Sequence, residues 1–244
     1  MHPLSEQGYI DQLSVDCVIF GYQDRKLKVL VPQLRFKGGF WALPSGFVYQ
    51  HEGVDEAAQR ILQERTGISD VFLEQFWVTG KAGRSSKEFL DRLIELNPSL
   101  FTPDPGEEFR RGDYEWFTRR FVSIGYYALV DISHVVPQKS DLDAFIEWYD
   151  VKDLPEMIMD HREIVVHALE TLRITLDQKL SAFKLLPETF TMKDVQELYE
   201  TIYDRPFARN NFQKKILSLN ALERLEKKYT GAANKAPYLY RLLQ

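Results

Sequence analysis

The chain has 244 residues, of which 44% are hydrophobic, 13% aromatic and 27% charged. That composition supports a packed core in one large or two small domains and excludes fibrous and disordered classes. The formal net charge of −5 excludes a nucleic-acid surface spread evenly over the molecule. No apolar run approaches the roughly 20 residues that cross a bilayer, so no membrane partner is expected. Residues 1–6 show no basic and apolar leader, which together with a single cysteine predicts a cytoplasmic protein.

Residues 14–20 (SVDCVIF) and 26–32 (KLKVLVP) flank Gln23-Asp24-Arg25 and predict a β-hairpin. Cys17 lies inside the first run and reads as core. Residues 41–46 (WALPSG) predict a short strand closing on a turn. Residues 52–66 predict a helix with Ala57, Ala58, Ile61 and Leu62 on one face and Gly67 as its stop. Strands are predicted over 71–78 and 121–131. Between them, Ser85-Ser86-Lys87-Glu88 has capping-box spacing, and Phe89, Leu90, Leu93, Ile94 and Leu96 keep a helical period up to Asn97-Pro98. Residues 102–108 read as a polar, Pro/Gly-rich loop, and 146–149 as a further strand. Asp160-His161-Arg162-Glu163 opens a helix with His161 as a capping residue and Ile164, Val165, Ala168, Leu169 and Leu172 turned inward; His167 is expected at the surface or in an interface. Strands mixed with helices predict an α/β or α+β body.

From about residue 184 the pattern changes. Thr191-Met192-Lys193-Asp194 caps a helix carrying Val195, Leu198, Tyr199 and Ile202. Asp204-Arg205-Pro206 breaks it, and a second helix from about 209 to 219 buries Phe212, Ile216 and Leu219. Residues 222–228 and 238–242 predict two strands around a small, basic tip. Helix, turn, helix and hairpin together predict a winged helix-turn-helix. Residues 184–244 hold 11 Lys+Arg against 7 Asp+Glu, a net of +4, and residues 1–183 hold 20 against 29, a net of −9. A basic segment on an acidic body is the charge pattern of a nucleic-acid binder, with contacts expected from the tail alone.

Residues 46–68, GFVYQHEGVDEAAQRILQERTGI, resemble the Nudix box, G-x5-E-x7-R-E-U-x-E-E-x-G-U, with U a bulky aliphatic residue. Gly46, Glu52, Arg60, Leu62, Glu64, Gly67 and Ile68 match, and Trp41-Ala42-Leu43-Pro44 also resembles the family. The resemblance implies a mixed β-sheet sandwiched by helices. It also implies that positions 61, 64 and 65, which share a helix face at i, i+3 and i+4, carry carboxylates that hold Mg²⁺. Here Ile61 and Arg65 stand at two of the three. The expectation is therefore the fold without the hydrolase: no catalytic residues, no metal and no cofactor. A pyrophosphohydrolase of ADP-ribose-like substrates, with ligands drawn from Glu52 or Glu56, is the alternative.

The C-terminal part, with Leu185-Leu186-Pro187-Glu188-Thr189-Phe190-Thr191, Glu197-Leu198-Tyr199-Glu200, Asn211-Phe212 and Leu239-Tyr240, resembles the Nudix-related transcriptional regulators. So do Val15-Asp16-Cys17 and Ser123-Ile124-Gly125-Tyr126-Tyr127 in the body. That family includes repressors of NAD metabolism and arabinose-type regulators, and this chain looks nearest the latter. The resemblance implies a Nudix-like sensor over residues 1–155 with an insertion at about 82–118, a linker helix over 156–183 and a winged-helix DNA-binding domain over 184–244. It implies a homodimer on palindromic operator DNA and a small effector, a sugar first and an ADP-ribose-like nucleotide second. Lys193, Arg209, Asn210, Asn211, Lys214, Lys215 and Lys235 are the candidate DNA contacts, since amides read adenine edges and cations take guanine acceptors or phosphates. Asp16, Arg35, Trp41, Glu64, Arg65 and Tyr126 are the effector-pocket candidates that the resemblance and the altered box recommend.

Overall fold

The computed structural model describes residues 8–68, 71–98, 111–228 and 236–243. β1 (Tyr9–Gln23) is the centre of a six-stranded mixed sheet. It turns through Asp24 and Arg25, both at positive φ, into β2 (Lys26–Leu34), which is the predicted hairpin. β5 (Val122–Val130) lies parallel to β1 on its other side. β4 (Leu73–Thr79) and β6 (Asp143–Asp150) are the outer strands, giving the order β4-β5-β1-β2-β6, and β3 (Ser45–Tyr49) pairs with the first half of β1. The strand expected over 41–46 is displaced toward the C-terminus. Trp41 makes only isolated bridges to Gln33 and Met157, and Pro44, which has no N–H for a ladder, uses its carbonyl to accept from the Cys17 N–H at 2.8 Å.

Side chains alternate along β1. Val15, Cys17 and Ile19 face α1 (Val54–Thr66), whereas Val18 and Phe20 face α4 (His161–Lys179). A helix on each face explains why β1 reads as a nearly continuous apolar run. Cys17 is fully buried, and that burial pushes its thiol far above the usual range, consistent with a core role. Gly67 ends α1 in the left-handed region (φ 72°), donating to the Gln63 carbonyl at 2.8 Å. Gly46 is required by close approach: a Cβ there would come within 2.8 Å of Ile61 Cδ1, and Ile61 is buried.

The insertion holds α2 (Lys87–Leu96), as expected from its period, and α3 (Arg111–Thr118), which the sequence reading left out. The expected loop over 102–108 lies outside the described residues. Leu90 and Leu93 pack with Phe40, flanked by Phe89, Tyr114 and Phe117. Asn97 fastens this layer to the segment before β3: its amide donates to the Lys37 carbonyl and its Oδ1 accepts from the Lys37 N–H, both at 2.9 Å.

The C-terminal part contains β7 (Phe190–Thr191), α5 (Met192–Tyr203), α6 (Arg209–Ser218), β8 (Leu222–Lys227) and β9 (Tyr238–Leu242), with a three-stranded sheet in the order β7-β9-β8. The Thr191–Asp194 capping box forms as expected: the Thr191 N–H and hydroxyl donate to Asp194 Oδ2 at 2.8 Å, and the Asp194 N–H returns to Thr191 Oγ1. Asp204, at φ 53°, closes α5. Phe212 and Ile216 are core, while Leu219 is only half-buried because α6 ends before it. Leu198, Tyr199 and Phe212 belong to the same apolar cluster as Val18, Phe20 and Leu172, so one core runs from the sheet through α4 into the helix-turn-helix. Among the described residues no helix is long and apolar enough to cross a membrane.

Candidate functional sites

The helical period of α6 turns Phe212 and Ile216 into the core and leaves Arg209, Asn210, Asn211, Lys214 and Lys215 exposed. The exposed side of this helix therefore carries three cations and two amides, and α6 contains no carboxylate. Among the described residues Arg209 has no carboxylate within ion-pair distance. Lys193, exposed in the first turn of α5, sits 3.5 Å from Glu197. Lys235 lies outside the described residues. Such a surface suits phosphates through its cations and base edges through its amides.

The altered Nudix box is organised differently. Glu52 accepts from Arg60 at 2.7 and 3.0 Å and from the Tyr49 N–H at 2.9 Å. The Arg60 hydrogen bonds, opposed by partial burial, hold its carboxyl below the usual range. Arg60 also donates to the Phe47 carbonyl at 2.9 Å and lies over the Tyr49 ring. Glu56 accepts from the Gly53 N–H at 2.8 Å as part of the helix cap. Ile61 is core, and Glu64 is exposed beside Arg60. Arg65 pairs with Asp143, which also accepts from the Ser140 N–H and hydroxyl at 2.7 and 2.8 Å. Of the three positions that would hold Mg²⁺, one is apolar and buried, one is a committed cation and one is a lone carboxylate. The residues present do not fit that ion, and the alternative ligands Glu52 and Glu56 are engaged by Arg60 and by the cap. Among the described residues no group of three or more His, Cys, Asp or Glu is placed to hold a metal.

The six effector candidates do not converge on one wall. Tyr126 pairs in register with Cys17 and so faces α1, where its hydroxyl donates to Asp55; burial and that carboxylate push its ionisation far up. Glu64 and Arg65 lie on α1 itself. Asp16 is one residue out of phase with Cys17 and points to the opposite face. Trp41 lies on that second face against Phe145 and Tyr149, and Arg35 is exposed beyond the end of β2. The arrangement separates what a shared pocket would need to unite, because neighbouring strand positions alternate between faces.

Asp16 instead anchors a buried polar cluster that the sequence reading missed. Its carboxylate accepts from Ser45 Oγ at 2.5 Å and from the Ser123 hydroxyl, with Arg84 at 3.7 Å and His161 Nε2 at 3.9 Å. Asp160 accepts from Arg84 Nε at 2.8 Å and from Thr79 Oγ1 at 3.1 Å. A carboxylate inside an apolar strand signals that a buried partner exists, but Arg84, in the insertion, cannot be found from spacing. The sequence expectation that His161 caps the helix is not met: Asp160 is the N-cap and His161 is the first residue of α4. It is buried, and its Nδ1 accepts from the Leu43 N–H at 2.8 Å, which ties α4 to the segment before β3. His167 is partly exposed and rests on Trp77, near the surface as expected.

This geometry sets a pH dependence. Burial pushes the His161 imidazole below its usual range, although Asp16 and Asp160 pull it up and Arg84 opposes them. Nδ1 must stay unprotonated to accept from Leu43, so the folded state binds this proton less readily than the unfolded chain. The stability this contributes is complete above the unfolded value of about 6.5 and is lost as pH falls toward the lowered folded value. Asp160, pushed up by burial but held down overall by Arg84, adds a second loss at more acid pH, as its folded state is reached from above. The urea midpoint of the protein is expected to fall between pH 7 and pH 5, and His161→Asn, whose amide oxygen can accept from Leu43, should flatten that part of the curve. An equally steep curve in the variant would assign the dependence to other groups.

Residues 11–168 match the NUDIX domain family, and residues 182–242 match the family described as the NrtR DNA-binding winged helix domain. The chain is 25% identical over 254 residues to the ADPR responsive transcriptional repressor NtrR of Acinetobacter baylyi, covering 97% of this chain and 88% of that protein. Its fold is similar to the crystal structure of Shewanella oneidensis NrtR complexed with a 27mer DNA, with a TM-score of 0.73, 22% identity and coverage of 96% and 94% of the two chains. It is also similar to a MutT/nudix family protein from Enterococcus faecalis, with a TM-score of 0.67, 18% identity and coverage of 96% and 87%.

Proposed function

This chain belongs to the Nudix family and carries a winged-helix domain of the NrtR type, and from that premise we propose that it is an effector-responsive transcriptional regulator whose Nudix domain senses rather than hydrolyses. The observation that carries the reading is the exposed side of α6, with Arg209, Asn210, Asn211, Lys214 and Lys215 and no carboxylate, mounted on a core continuous with the Nudix sheet. Two copies read a palindromic operator in the cytoplasm, and Lys193 and Lys235 add phosphate contacts. The body over 1–155 holds the effector, the segment over 156–183 transmits its presence, and 184–244 contacts DNA.

For the effector, the A. baylyi relative supports an ADP-ribose-like nucleotide ahead of the sugar that sequence resemblance alone placed first. Of the six pocket candidates, Arg35, Trp41 and Glu64 are accessible to a ligand, while Asp16, Arg65 and Tyr126 are committed to internal partners. The effector acts by binding one dimer geometry more tightly than the other. Loss of hydrolysis is supported by the misfit of Ile61 and Arg65 to Mg²⁺.

The test is an anisotropy titration of the protein on duplexes selected from a random pool, with and without ADP-ribose or arabinose. Lys214→Ala and Lys215→Ala should each weaken every duplex, and Asn210→Ala should cost on the order of 1–3 kcal/mol at one base position. The effector should change the affinity while ADP-ribose with Mg²⁺ is recovered intact. Absence of binding to any selected duplex rejects the regulator, and Mg²⁺-dependent turnover abolished by Glu64→Gln restores the hydrolase.

A further inference from the structure

The acidic body is not uniformly acidic where it meets the winged helix. A cleft of about 1030 Å³ lies between the tip of the β1–β2 hairpin, the turn after β6, the α5–α6 pair and the start of β9. Arg25, Lys26 and Lys152 of the body line it together with Lys193, Arg209 and Gln213 of the winged helix. The lining carries five cations against four carboxylates, so charge in the cleft is not balanced internally.

The pairing inside the cleft is shared and exposed. Glu197 Oε1 on α5 serves two cations at once: Arg25 from the body and Lys193 from the winged helix, the latter at 3.5 Å. Lys152 pairs with Asp204 at the end of α5, and Lys26 with Asp150 at 3.2 Å. Arg25, Lys26 and Lys152 are 66%, 58% and 59% exposed, so each pair is screened and worth little. Arg209, in the same cleft, has no carboxylate partner among the described residues. A body cation is thus a single carboxylate away from a winged-helix cation at the start of α5.

We propose that the β1–β2 tip and the β6 turn form a second phosphate-binding surface, with Arg25 and Lys152 leaving Glu197 and Asp204 to take the backbone of the duplex held by α6. The inference rests on the DNA-binding reading above and goes beyond it, since contacts were expected from residues 184–244 alone. A phosphate chain is the occupant that the cleft's charge favours: it offers one negative charge per nucleotide to cations whose present partners are weak, and its binding releases counterions. Glu197 then acts as a brake that competes with phosphate for Arg25 and Lys193 together.

The test compares wild type, Arg25→Ala, Lys152→Ala and Glu197→Gln on one selected duplex across a salt series, with thermal melts to confirm that each folds. Each alanine variant should lower the slope of log affinity against log salt by about one and weaken all sequences alike. Glu197→Gln should tighten binding, by roughly fivefold for the loss of the two weak pairings with Arg25 and Lys193 that compete with phosphate. The sign separates this from a purely structural latch between the domains. A latch predicts weaker binding in Glu197→Gln and an unchanged salt slope in Lys152→Ala, and either result overturns the proposal while leaving the regulator standing. If the wild type binds no duplex, the regulator reading fails and the second surface fails with it.

Discussion

Arg65→Ala is expected to lower the unfolding free energy by about 3–5 kcal/mol, because it strands a buried carboxylate. Asp143 is 1% exposed at its side chain and Arg65 12%. Without the guanidinium, Asp143 keeps only the Ser140 N–H and hydroxyl on Oδ2, while Oδ1 has no partner among the described residues even now. The backbone bond from the Gln138 N–H to the Arg65 carbonyl, at 2.9 Å, survives the substitution, so the deficit reports the side-chain pair. Replacing both partners, Arg65→Met with Asp143→Leu, should recover most of the deficit, since an apolar pair of similar volume avoids the desolvation cost. Urea denaturation of the two single variants and the double gives the coupling directly. A deficit under about 1 kcal/mol would show the pair behaving as a solvated surface contact. The functional consequence is that Arg65→Ala alone cannot report on the effector: a lost thermal shift could follow from the damaged fold, and only the double variant separates the two.

The elements that the sequence revealed are those whose signals are local. Alternating β-branched residues around Gln23-Asp24-Arg25 specify a hairpin, and Thr191 with Asp194 three residues on specifies a helix start, each within one turn of chain. The Nudix spacing is legible because a helix face repeats at three and four residues, so Ile61 and Arg65 stand out from the sequence alone as departures from the family's carboxylate pattern. What Arg65 does instead was not legible, since Asp143 lies 78 residues away. The short α3 and the two-residue β7 left no period to detect, and Pro44 moved the strand after Trp41. The pocket candidates failed to converge for a related reason: strand residues one apart in phase face opposite layers, and resemblance to a family motif does not record which face a substituted residue adopts. Asp16 shows this best, for it turns from the expected effector wall into the anchor of a buried network.

That network carries the other large effect. Arg84→Met should cost about 3–5 kcal/mol at neutral pH, because Arg84, 7% exposed, is the cation that faces both Asp16 and Asp160. Met keeps much of the aliphatic volume, so the deficit reports charge rather than a cavity. Its pH dependence follows from the sign of the shifts. In the wild type Arg84 holds Asp160 below the usual carboxylate range, and stability is lost as acid reaches that group. Without Arg84, burial pushes the Asp160 carboxyl up against the Thr79 hydrogen bond that remains and favours its protonated form. That change makes the folded variant hold this carboxyl proton more tightly than the wild type does, so the deficit narrows as pH falls. The difference between the two should therefore be largest near pH 7.5 and shrink toward pH 5. Arg84 also precedes α2, so its loss releases one of the ties between the insertion and the body, and exchange of amide hydrogens should accelerate in α2 ahead of the sheet. Denaturation of both proteins at pH 5 and pH 7.5 decides the matter: an equal deficit at the two values would mean that Arg84 contributes by packing alone, and that Asp16 and Asp160 find their compensation in Ser45, Ser123 and Thr79.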